Sequence, residues 1–371
     1  MSSIYTGSPS NVVSQSTSPQ EMKGVWKRWA TAAQQNSKLK LCEFLVAVTN
    51  AISGTPTLVQ LVHPGRQSPV GCGDRRFFEK AIAPSAVPLV LGDGMLDRLL
   101  QKVLFGIPRE MTVKEIREVV QQFASAAKLV YDSGFKGVQI HAAHGFLLTQ
   151  FLSPKSNVRT DDYGGTPSKR ARIVIDVIRA IRSVVPSSFC VGIKLNSADV
   201  GGAESLGESL EQVGLIAAEK IDFLEISGGT IEKLRMATGD NPVSQRTMRR
   251  EAFFLDYARA VRAQYPDIVL MVTGGFRSRN GMQAALESNA CDLIGLGRPA
   301  AVWPKLAKEV LLNKKVKDED AKVDLRLVRG NWFVRNMAPR LVGVGVDVLY
   351  YARMIARLAE GKPTYPPPEG A

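Results

Sequence analysis

Short apolar runs alternate with longer amphipathic segments from residue 57 onward, and this rhythm predicts strands separated by helices. The apolar runs are Thr57–Val62, Gly137–Ile140, Cys190–Leu195, Phe223–Ile226, Val269–Val272 and Leu293–Leu296. Because such runs are short and mostly apolar on both faces, they are typical of strands in a parallel sheet that helices cover.

The amphipathic segments carry apolar residues at helical spacing. This spacing is clearest in Val113–Ser133 and Ser168–Val184, and further helices are predicted at 205–219, 251–264 and 278–288, each after a strand. The unbroken repetition of strand and helix favours an α/β fold of the TIM-type (β/α)8 barrel class over a doubly wound sheet.

The chain contains only three histidines, and each follows a predicted strand directly. His141 and His144 come after Gly137–Ile140, and His63 comes after Thr57–Val62. Parallel α/β proteins keep their catalytic groups at the carboxyl ends of the strands, so this clustering indicates an active site. The His-x-x-His spacing also suits a metal ion, but no third ligand is evident in the sequence, and we predict no metal site.

The sequence around these histidines resembles the signature of the Old Yellow Enzyme family of flavin-dependent ene-reductases. The matching stretches are His141–Pro154 and Asn157–Gly165, and similar motifs stand at Gln60–Arg66, Gly192–Asn196, Glu225–Gly229, Arg250–Phe254, Thr273–Phe276 and Gly295–Pro299. The resemblance covers roughly residues 55–362. It implies a barrel that binds FMN non-covalently, takes hydride from NADPH or NADH, and reduces an α,β-unsaturated carbonyl compound or a related acceptor.

The same resemblance implies roles for individual residues. We expect His141 and His144 to bind the carbonyl oxygen of the substrate, whereas His63 and Arg66 either line the entrance of the site or are structural. The residues expected to bind FMN are Gln60 and Lys194 at the ring, and Gly274, Gly275, Gly295, Gly297 and Arg298 at the phosphate. Glycine-rich loops after the last two strands of a barrel expose backbone N–H groups that suit a phosphate. A satisfied core amide at Gln60 and a surface lysine at Lys194 are the alternative interpretations.

One residue departs from the family pattern. Phe146 stands where most relatives have the tyrosine that gives a proton to the substrate Cα. Because phenylalanine has no hydroxyl, three outcomes are open: protonation by solvent or another acid, isomerisation of an alkene by reduction and reoxidation, or reduction of quinones or oxygen. In the loop that follows, we expect Tyr163 to pack structurally, and Arg159 and Asp162 to hold the loop by ion pairs.

The six predicted strands are two fewer than a complete barrel requires. We predict that the chain lacks the first two strands of the family fold and that Ser37–Ser53 is an insertion. Either the gene model is imperfect, or Leu41–Val48 serves as a replacement strand. The predicted domains are an irregular N-terminal segment (1–53), an FMN-binding barrel (54–362) closed by C-terminal helices, and a Pro-rich, disordered tail (363–371).

Two rival functions stay open. A barrel without its first strands has exposed sheet edges and fewer flavin contacts, so the chain is alternatively an inactive or weakly FMN-binding remnant. It is alternatively a flavin-free isomerase or aldolase that uses Lys194 as a Schiff-base nucleophile. No Gly-x-Gly-x-x-Gly fingerprint follows a predicted strand, which agrees with a nicotinamide that shares the flavin pocket with the substrate in turn.

Composition narrows the class of partner. The net charge of +13 comes from dispersed basic residues, so we predict a solvated basic surface and no nucleic-acid binding. No apolar run reaches the ~18 residues of a membrane span, and the N-terminus has no signal-peptide pattern. The four cysteines are far apart and are interpreted as free thiols. We therefore predict a cytoplasmic enzyme with a small-molecule substrate and no membrane association, and a homo-oligomer is compatible with the sequence.

Overall fold

The computed structural model describes residues 27, 45–47, 56–71, 75–92, 94–197, 205–229, 232, 243–325, 328 and 340–367. Of the predicted N-terminal segment (1–53), only residues 27 and 45–47 lie inside the described residues, and Cys42 and Cys72 lie outside them. All six strands predicted from the sequence lie inside them.

The strands and helices follow one another in the predicted alternation. The strands are β1 (Leu45–Ala47), β2 (Thr57–Leu61), β3 (Ile82–Ala83), β4 (Arg109–Glu110), β5 (Gly137–Ala142), β6 (Cys190–Asn196), β7 (Phe223–Ser227), β8 (Leu270–Thr273) and β9 (Leu293–Gly295). The α-helices are α1 (Met95–Leu104), α2 (Val113–Asp132), α3 (Leu147–Leu152), α4 (Pro167–Arg182), α5 (Leu206–Ala217), α6 (Val243–Gln264), α7 (Arg279–Glu287), α8 (Arg298–Val302) and α9 (Arg340–Ala359). A 3₁₀ turn at Gly65–Gln67 and a π-helical turn at Ala307–Leu311 add to these.

Seven strands form one sheet in the order β1-β2-β5-β6-β7-β8-β9, and the strands from β2 onward are parallel. The predicted strands are therefore confirmed, and the helices covering them give the barrel-type α/β fold. Among the described strands, β9 pairs with β8 alone, so the parallel strands form an open part of a barrel. Next to β2 lies β1, as the replacement-strand alternative predicted for Leu41–Val48, but it runs antiparallel, with Leu45 opposite Val59.

Capping residues fix where the main helices begin. Helix α2 starts with a capping box, in which Thr112 Oγ1 accepts from Glu115 N (3.2 Å) and Glu115 accepts from Thr112 N (2.9 Å). Ser205 and Ser278 cap α5 and α7 with their side chains. The helix predicted at 251–264 begins earlier than expected, since α6 starts at Val243.

The two faces of the sheet have different surroundings. The outward face packs against α2, α4 and α5 in one large apolar core. The inward face is closed at the amino ends of the strands by Leu58, Phe223 and Met271. A methyl group on Gly192 would lie 2.1 Å from the Phe223 ring, so this strand position requires glycine. These three apolar side chains thus form the floor of the barrel interior.

Above this floor, the inward face is polar. In the strand register, Gln60 lies opposite Gln139, His141 lies opposite Lys194, and Lys194 lies opposite Glu225. Paired residues of neighbouring strands point to the same face of a sheet, so these side chains share the interior. The fold therefore gathers the polar groups of four strands toward the carboxyl ends, where the sequence predicts the site.

The Pro-rich tail is packed on the body of the protein, and the prediction that it is disordered is wrong for its described part. Tyr350 OH donates to the carbonyl oxygen of Tyr365 (2.5 Å), and the two rings meet edge to face at 6.2 Å. Thr364 Oγ1 donates to the carbonyl oxygen of Val302 (2.5 Å). Tyr350 of α9 and a backbone carbonyl oxygen of α8 therefore hold a segment whose composition suggests disorder.

No described helix is long and apolar enough to cross a membrane. Within the part of the chain that the structure describes, no three His, Cys, Asp or Glu side chains gather as a metal site requires. Cys190 and Cys291 are free, and burial raises the pKa of each thiol to about 11. These two thiols are therefore protonated and poorly reactive at neutral pH.

Candidate active site

The two histidines of the His-x-x-His motif face each other at the carboxyl end of β5. His141 is the fifth residue of the strand, and His144 lies in the turn before α3, with φ of 58° in the left-handed region. Asn196, at the end of β6, accepts a hydrogen bond from the backbone N–H of His144 through its side-chain oxygen (3.0 Å). This anchored turn folds His144 back over the strand end, so that the two rings meet edge to face at 4.9 Å.

Hydrogen bonds define where each histidine carries its proton. His141 Nδ1 accepts from the backbone N–H of Ala143 (3.2 Å), so the proton of the neutral ring is on Nε2. His141 Nε2–H then donates to His144 Nδ1 (3.1 Å). By the same logic, His144 is protonated on Nε2 and donates to Ser227 Oγ (3.1 Å). One backbone N–H thereby sets the tautomers of both rings.

Burial holds both histidines in the neutral form. It is the main cause that lowers the pKa of His141 well below its usual value, with further contributions from His144 and Lys194. Burial, together with the nearby charge of Lys194, lowers the pKa of His144 to about 3. At neutral pH the pair therefore offers two uncharged N–H donors. Donors of this kind can stabilise negative charge that develops on a carbonyl oxygen.

Phe146 lies directly beside this pair. It is the N-cap residue of α3, and its ring meets the ring of His141 edge to face at 4.8 Å. The side chain at position 146 is thus in the neighbourhood that the family resemblance implies, but it brings only apolar contact. No proton is available from it.

Lys194 and Gln60 belong to a continuous polar ladder across the barrel interior. Lys194 Nζ lies 2.8 Å from Glu225 Oε1, Gln139 Nε2 donates to Glu225 Oε2 (2.6 Å), and Gln60 Nε2 donates to Gln139 Oε1 (2.6 Å). The side chain of Lys194 is 13% exposed and that of Glu225 is 2% exposed. The alternative of a surface lysine is therefore wrong. The amide of Gln60 is partly satisfied, since its oxygen and second N–H take no part in the ladder.

The first glycine-rich loop follows β8 and lies beside the end of β9. Thr273 is paired with Gly295, where a Cβ atom would lie 1.8 Å from Thr273 Oγ1. Gly274 and Gly275 have φ of 150° and 88°, a conformation that side chains other than hydrogen rarely allow. The hydroxyl of Thr273 is buried without a hydrogen-bond partner. An unpaired hydroxyl beside two glycines is the kind of environment that an anionic oxygen can complete.

The second loop leads into α8. A Cβ atom on Gly297 would meet nothing within 4 Å, so open space lies above this residue. Arg298 follows as the first residue of the helix, and its guanidinium lies 6.0 Å from the centre of the Tyr351 ring. The structure therefore brings the five residues predicted for the phosphate to adjacent strand ends.

Gln150 ties the His63 loop to the His144 turn. The residue is 1% exposed, and its side chain donates to the carbonyl oxygens of Pro64 (3.2 Å) and Gly145 (2.7 Å). Its oxygen accepts from the backbone N–H of Arg66 (3.2 Å). One buried amide thus holds together the two loops that follow β2 and β5.

Arg66 and His63 are both buried in these loops. The guanidinium of Arg66 donates to the carbonyl oxygens of residues 87–88 (3.2 and 2.9 Å) and to Glu232 (2.7 Å), so it links the loops after β2 and β7. His63 Nδ1 accepts from Gly65 N (3.1 Å), whereas its Nε2 is buried without a partner. Burial lowers the pKa of His63 to about 4. The contacts of Arg66 are structural, and a role of either residue at the entrance stays a prediction.

The loop after α3 is held by ion pairs, as predicted. Arg159 pairs with Asp161 (2.5 Å), and Asp162 pairs with basic side chains of α4. Tyr163 is buried and donates to Asp176 Oδ2 (2.9 Å), and burial with this hydrogen bond raises its pKa to about 12. These residues support the loop that follows α3.

The sequence interpretation missed several residues of the site. Gln139, Glu225, Ser227, Thr273 and Gln150 each contribute to the arrangement, although none of them was singled out. The available signal was a polar residue in the middle of a short, mostly apolar and fully buried strand, as for Gln139 in β5 and Glu225 in β7. Such a residue needs an internal partner, and the partner is often functional.

Comparisons with known proteins agree with the geometry. The model of the NADH:flavin oxidoreductase / NADH oxidase family matches residues 41–319. The chain is 43% identical over 324 residues to the NADH-dependent flavin oxidoreductase iliE of Hypocrea jecorina (strain QM6a), with 87% of this chain and 77% of that protein covered. It is 44% identical over 351 residues to a protein of the same name from Neonectria sp. (strain DH2), with 91% of this chain but only 44% of that protein covered.

Solved structures share the fold. The Old Yellow Enzyme homologue from Zymomonas mobilis has a TM-score of 0.54 and 23% identity, with 72% of this chain and 70% of that chain covered. A 2-naphthoyl-CoA reductase complex has a TM-score of 0.58 and 23% identity, with 78% of this chain and 43% of that chain covered. The resemblance drawn from the histidine motif is thus confirmed: the chain belongs to the NADH:flavin oxidoreductase / NADH oxidase family of FMN-dependent oxidoreductases that use NADH or NADPH.

Proposed function

We propose that this chain reduces an activated carbon–carbon double bond, with the carbonyl oxygen of the acceptor bound by His141 and His144. The family supplies the cofactor, FMN, and the co-substrate, NAD(P)H; the class of acceptor is our proposal. It is carried by one observation, the neutral pair of histidines that bears two N–H donors beside a buried lysine.

The described residues fit FMN. Lys194 uses one of three N–H groups on Glu225, so two remain for the N1 and O2 edge of the ring. Gln60 retains its oxygen and one N–H for the pyrimidine edge. The unpaired hydroxyl of Thr273 and the two glycine-rich loops suit the phosphate. When bound, FMN accepts hydride from NAD(P)H and passes it to the acceptor.

The histidines would act on the acceptor by polarising it. In the absence of a substrate, His141 Nε2–H and His144 Nε2–H donate to His144 Nδ1 and Ser227 Oγ. We propose that the carbonyl oxygen of a bound acceptor takes the place of both of these acceptors. Because the donors are neutral, they stabilise an enolate oxygen by hydrogen bonding and without giving up a proton. Hydride would then arrive at the carbon β to the carbonyl group.

The proton for the α carbon must come from elsewhere than residue 146. We propose that water supplies it, since Phe146 has no acidic group. A side-chain acid exchanges its proton with solvent, so water and another acid would both place deuterium at Cα when an enone is reduced in D₂O. For water as the source, we expect a rate of the oxidative half-reaction that does not change with pH, and a rate that follows the titration of one acid contradicts this source. An isomerised alkene without net consumption of NADPH would indicate reduction and reoxidation instead.

The ion pair of Lys194 speaks against the alternative in which this lysine forms a Schiff base. A Schiff-base lysine must present a free amine to its substrate, whereas Lys194 Nζ is held in an ion pair by Glu225 Oε1 at 2.8 Å. Borohydride trapping with a carbonyl substrate would have to label Lys194 for that alternative to survive.

An absorbance spectrum of the purified chain tests the proposal directly. With added FMN, we expect bound flavin bands that bleach on anaerobic addition of NADPH or NADH and recover on addition of an enone. His141→Ala and His144→Ala should keep the bleaching but slow the recovery, because they remove donors to the carbonyl oxygen. A chain that never takes up FMN would refute the proposal and favour the remnant interpretation.

A further inference from the structure

The polar ladder has a direction, and Glu225 sets it. An ionised carboxylate only accepts hydrogen bonds, so Gln139 must present its amide N–H to Glu225 Oε2 (2.6 Å). The oxygen of Gln139 then faces Gln60, which must present its own N–H (2.6 Å). The orientation of two amides therefore follows from a single charge on β7.

Burial makes this direction rigid. Gln139 is 0% exposed and Glu225 is 1% exposed, so water cannot replace a missing partner. Both oxygens of Glu225 are engaged, one by Lys194 and one by Gln139. A buried network of this kind is stable when every member is satisfied and costly when one is not.

We propose that Glu225 is a positioning residue of the flavin site. It holds and partly neutralises the ammonium group of Lys194, and through Gln139 it decides which end of the Gln60 amide faces the flavin ring. This inference rests on the proposed roles of Lys194 and Gln60, and it goes beyond them by assigning their control to residues that touch no ligand.

Glu225→Gln changes the ladder without changing its shape. The new amide has one oxygen, which Lys194 retains because its charge makes the stronger hydrogen bond. The amide N–H₂ then faces Gln139, which must turn its oxygen toward it. Gln60 must turn in the same way and presents N–H₂ to the pocket. The variant thus removes the acceptor for the flavin N3–H and leaves the charge of Lys194 without a counter-ion.

These two effects have separate readouts. Loss of the acceptor at Gln60 weakens binding of oxidised FMN, and we expect its Kd to rise at least tenfold. An uncompensated Lys194 favours the reduced, anionic flavin. A tenfold change in the ratio of oxidised to reduced affinity raises the two-electron midpoint potential by ~30 mV, which is the shift we expect.

Two control variants separate the components. Gln139→Met breaks the ladder but preserves the Lys194–Glu225 ion pair, so it should raise the Kd for FMN and leave the potential unchanged. Glu219→Gln removes the same charge from an ion pair with Arg179 (2.6 Å) on the helix-covered outside of the barrel. It should change neither quantity.

The experiment is a fluorescence titration with FMN and a potentiometric titration of the holoenzyme for the wild type and the three variants. The proposal is supported if Glu225→Gln changes both quantities, Gln139→Met changes only the Kd, and Glu219→Gln changes neither. It is overturned if the wild type binds FMN and the two ladder variants match it. If Glu225→Gln does not fold, Gln139→Met decides alone. A raised Kd for FMN with an unchanged midpoint potential supports the proposal, and an unchanged Kd overturns it. A wild type that binds no FMN refutes the proposed function, and this inference falls with it.

Discussion

Replacing Gln150 with methionine tests whether one buried amide holds the two loops of the site together. Methionine has nearly the same length and volume, so packing changes little. It removes the hydrogen bonds to Pro64 O (3.2 Å) and Gly145 O (2.7 Å), and the one from Arg66 N (3.2 Å). The perturbation is therefore almost purely a loss of hydrogen bonds.

The expected loss of stability is about 3 kcal/mol, at about 1 kcal/mol for each net hydrogen bond. Two of the groups left behind, the carbonyls of Pro64 and Gly145, belong to half-buried residues that water can reach. The N–H of Arg66 belongs to a buried residue, so water does not replace its lost partner. A loss much above this value would mean that the loops also rearrange.

Gln122→Met is the matched control. Gln122 lies on α2, and its side-chain oxygen is buried without a partner, so methionine removes an unsatisfied acceptor instead of a satisfied one. Urea unfolding should show a change within about 0.5 kcal/mol of zero, or a gain. A loss below about 1 kcal/mol for Gln150→Met, or equal losses for both variants, would refute the reasoning. In the FMN-bound enzyme, Gln150→Met should also slow enone reduction, because the His144 turn loses an anchor.

Three further predictions follow from the site. Phe146→Tyr should speed the oxidative half-reaction with an enone by roughly 10²-fold, the low end for a positioned acid. It should leave quinone reduction unchanged. Equal effects on both acceptors in stopped-flow measurements would contradict this prediction. Tyr163→Phe loses its bond to Asp176 and should cost about 1 kcal/mol in urea unfolding. Because the folded pKa of His144 is lowered from 6.5 to about 3, its stabilising contribution is complete above pH 6.5 and is lost as pH falls through this window. The free energy of unfolding should therefore fall by about 1.4 kcal/mol for each pH unit in this window because of this histidine. His144→Asn should reduce that slope.

The strands were predictable because each one is a short apolar run that helices cover on one side. The place of the histidines was predictable for a related reason: they follow strands, and parallel strands end at one edge. The pairing of Lys194 with Glu225 was not predictable. It depends on the register between β6 and β7, which sequence spacing along one strand does not contain.

The conformation of single turns and loops accounts for the other features that the sequence did not predict. The tautomers of His141 and His144 follow from a backbone N–H at Ala143, whose direction is set by a left-handed turn. The buried position of Arg66 follows from carbonyl oxygens that its loop encounters only after folding. Composition likewise favoured disorder for the tail, whereas Tyr365 packs against a ring on α9. The contacts of Arg66 and Tyr365 join segments that are apart in the sequence, whereas the histidine tautomers depend on the exact backbone conformation of one turn.

The charge balance of the interior has a consequence for the chemistry. Lys194 is paired with Glu225, and both histidines are neutral, so the region around the ring carries little net charge. Negative charge that develops during hydride transfer must then be stabilised mainly by oriented N–H groups. Oriented dipoles in a buried site respond weakly to dissolved salt, whereas unpaired surface charges are screened within about 8–10 Å at 0.1–0.15 M. We therefore expect the rate of hydride transfer to the acceptor to be nearly independent of ionic strength, while binding of phosphate-bearing cofactors to this basic protein should weaken with salt.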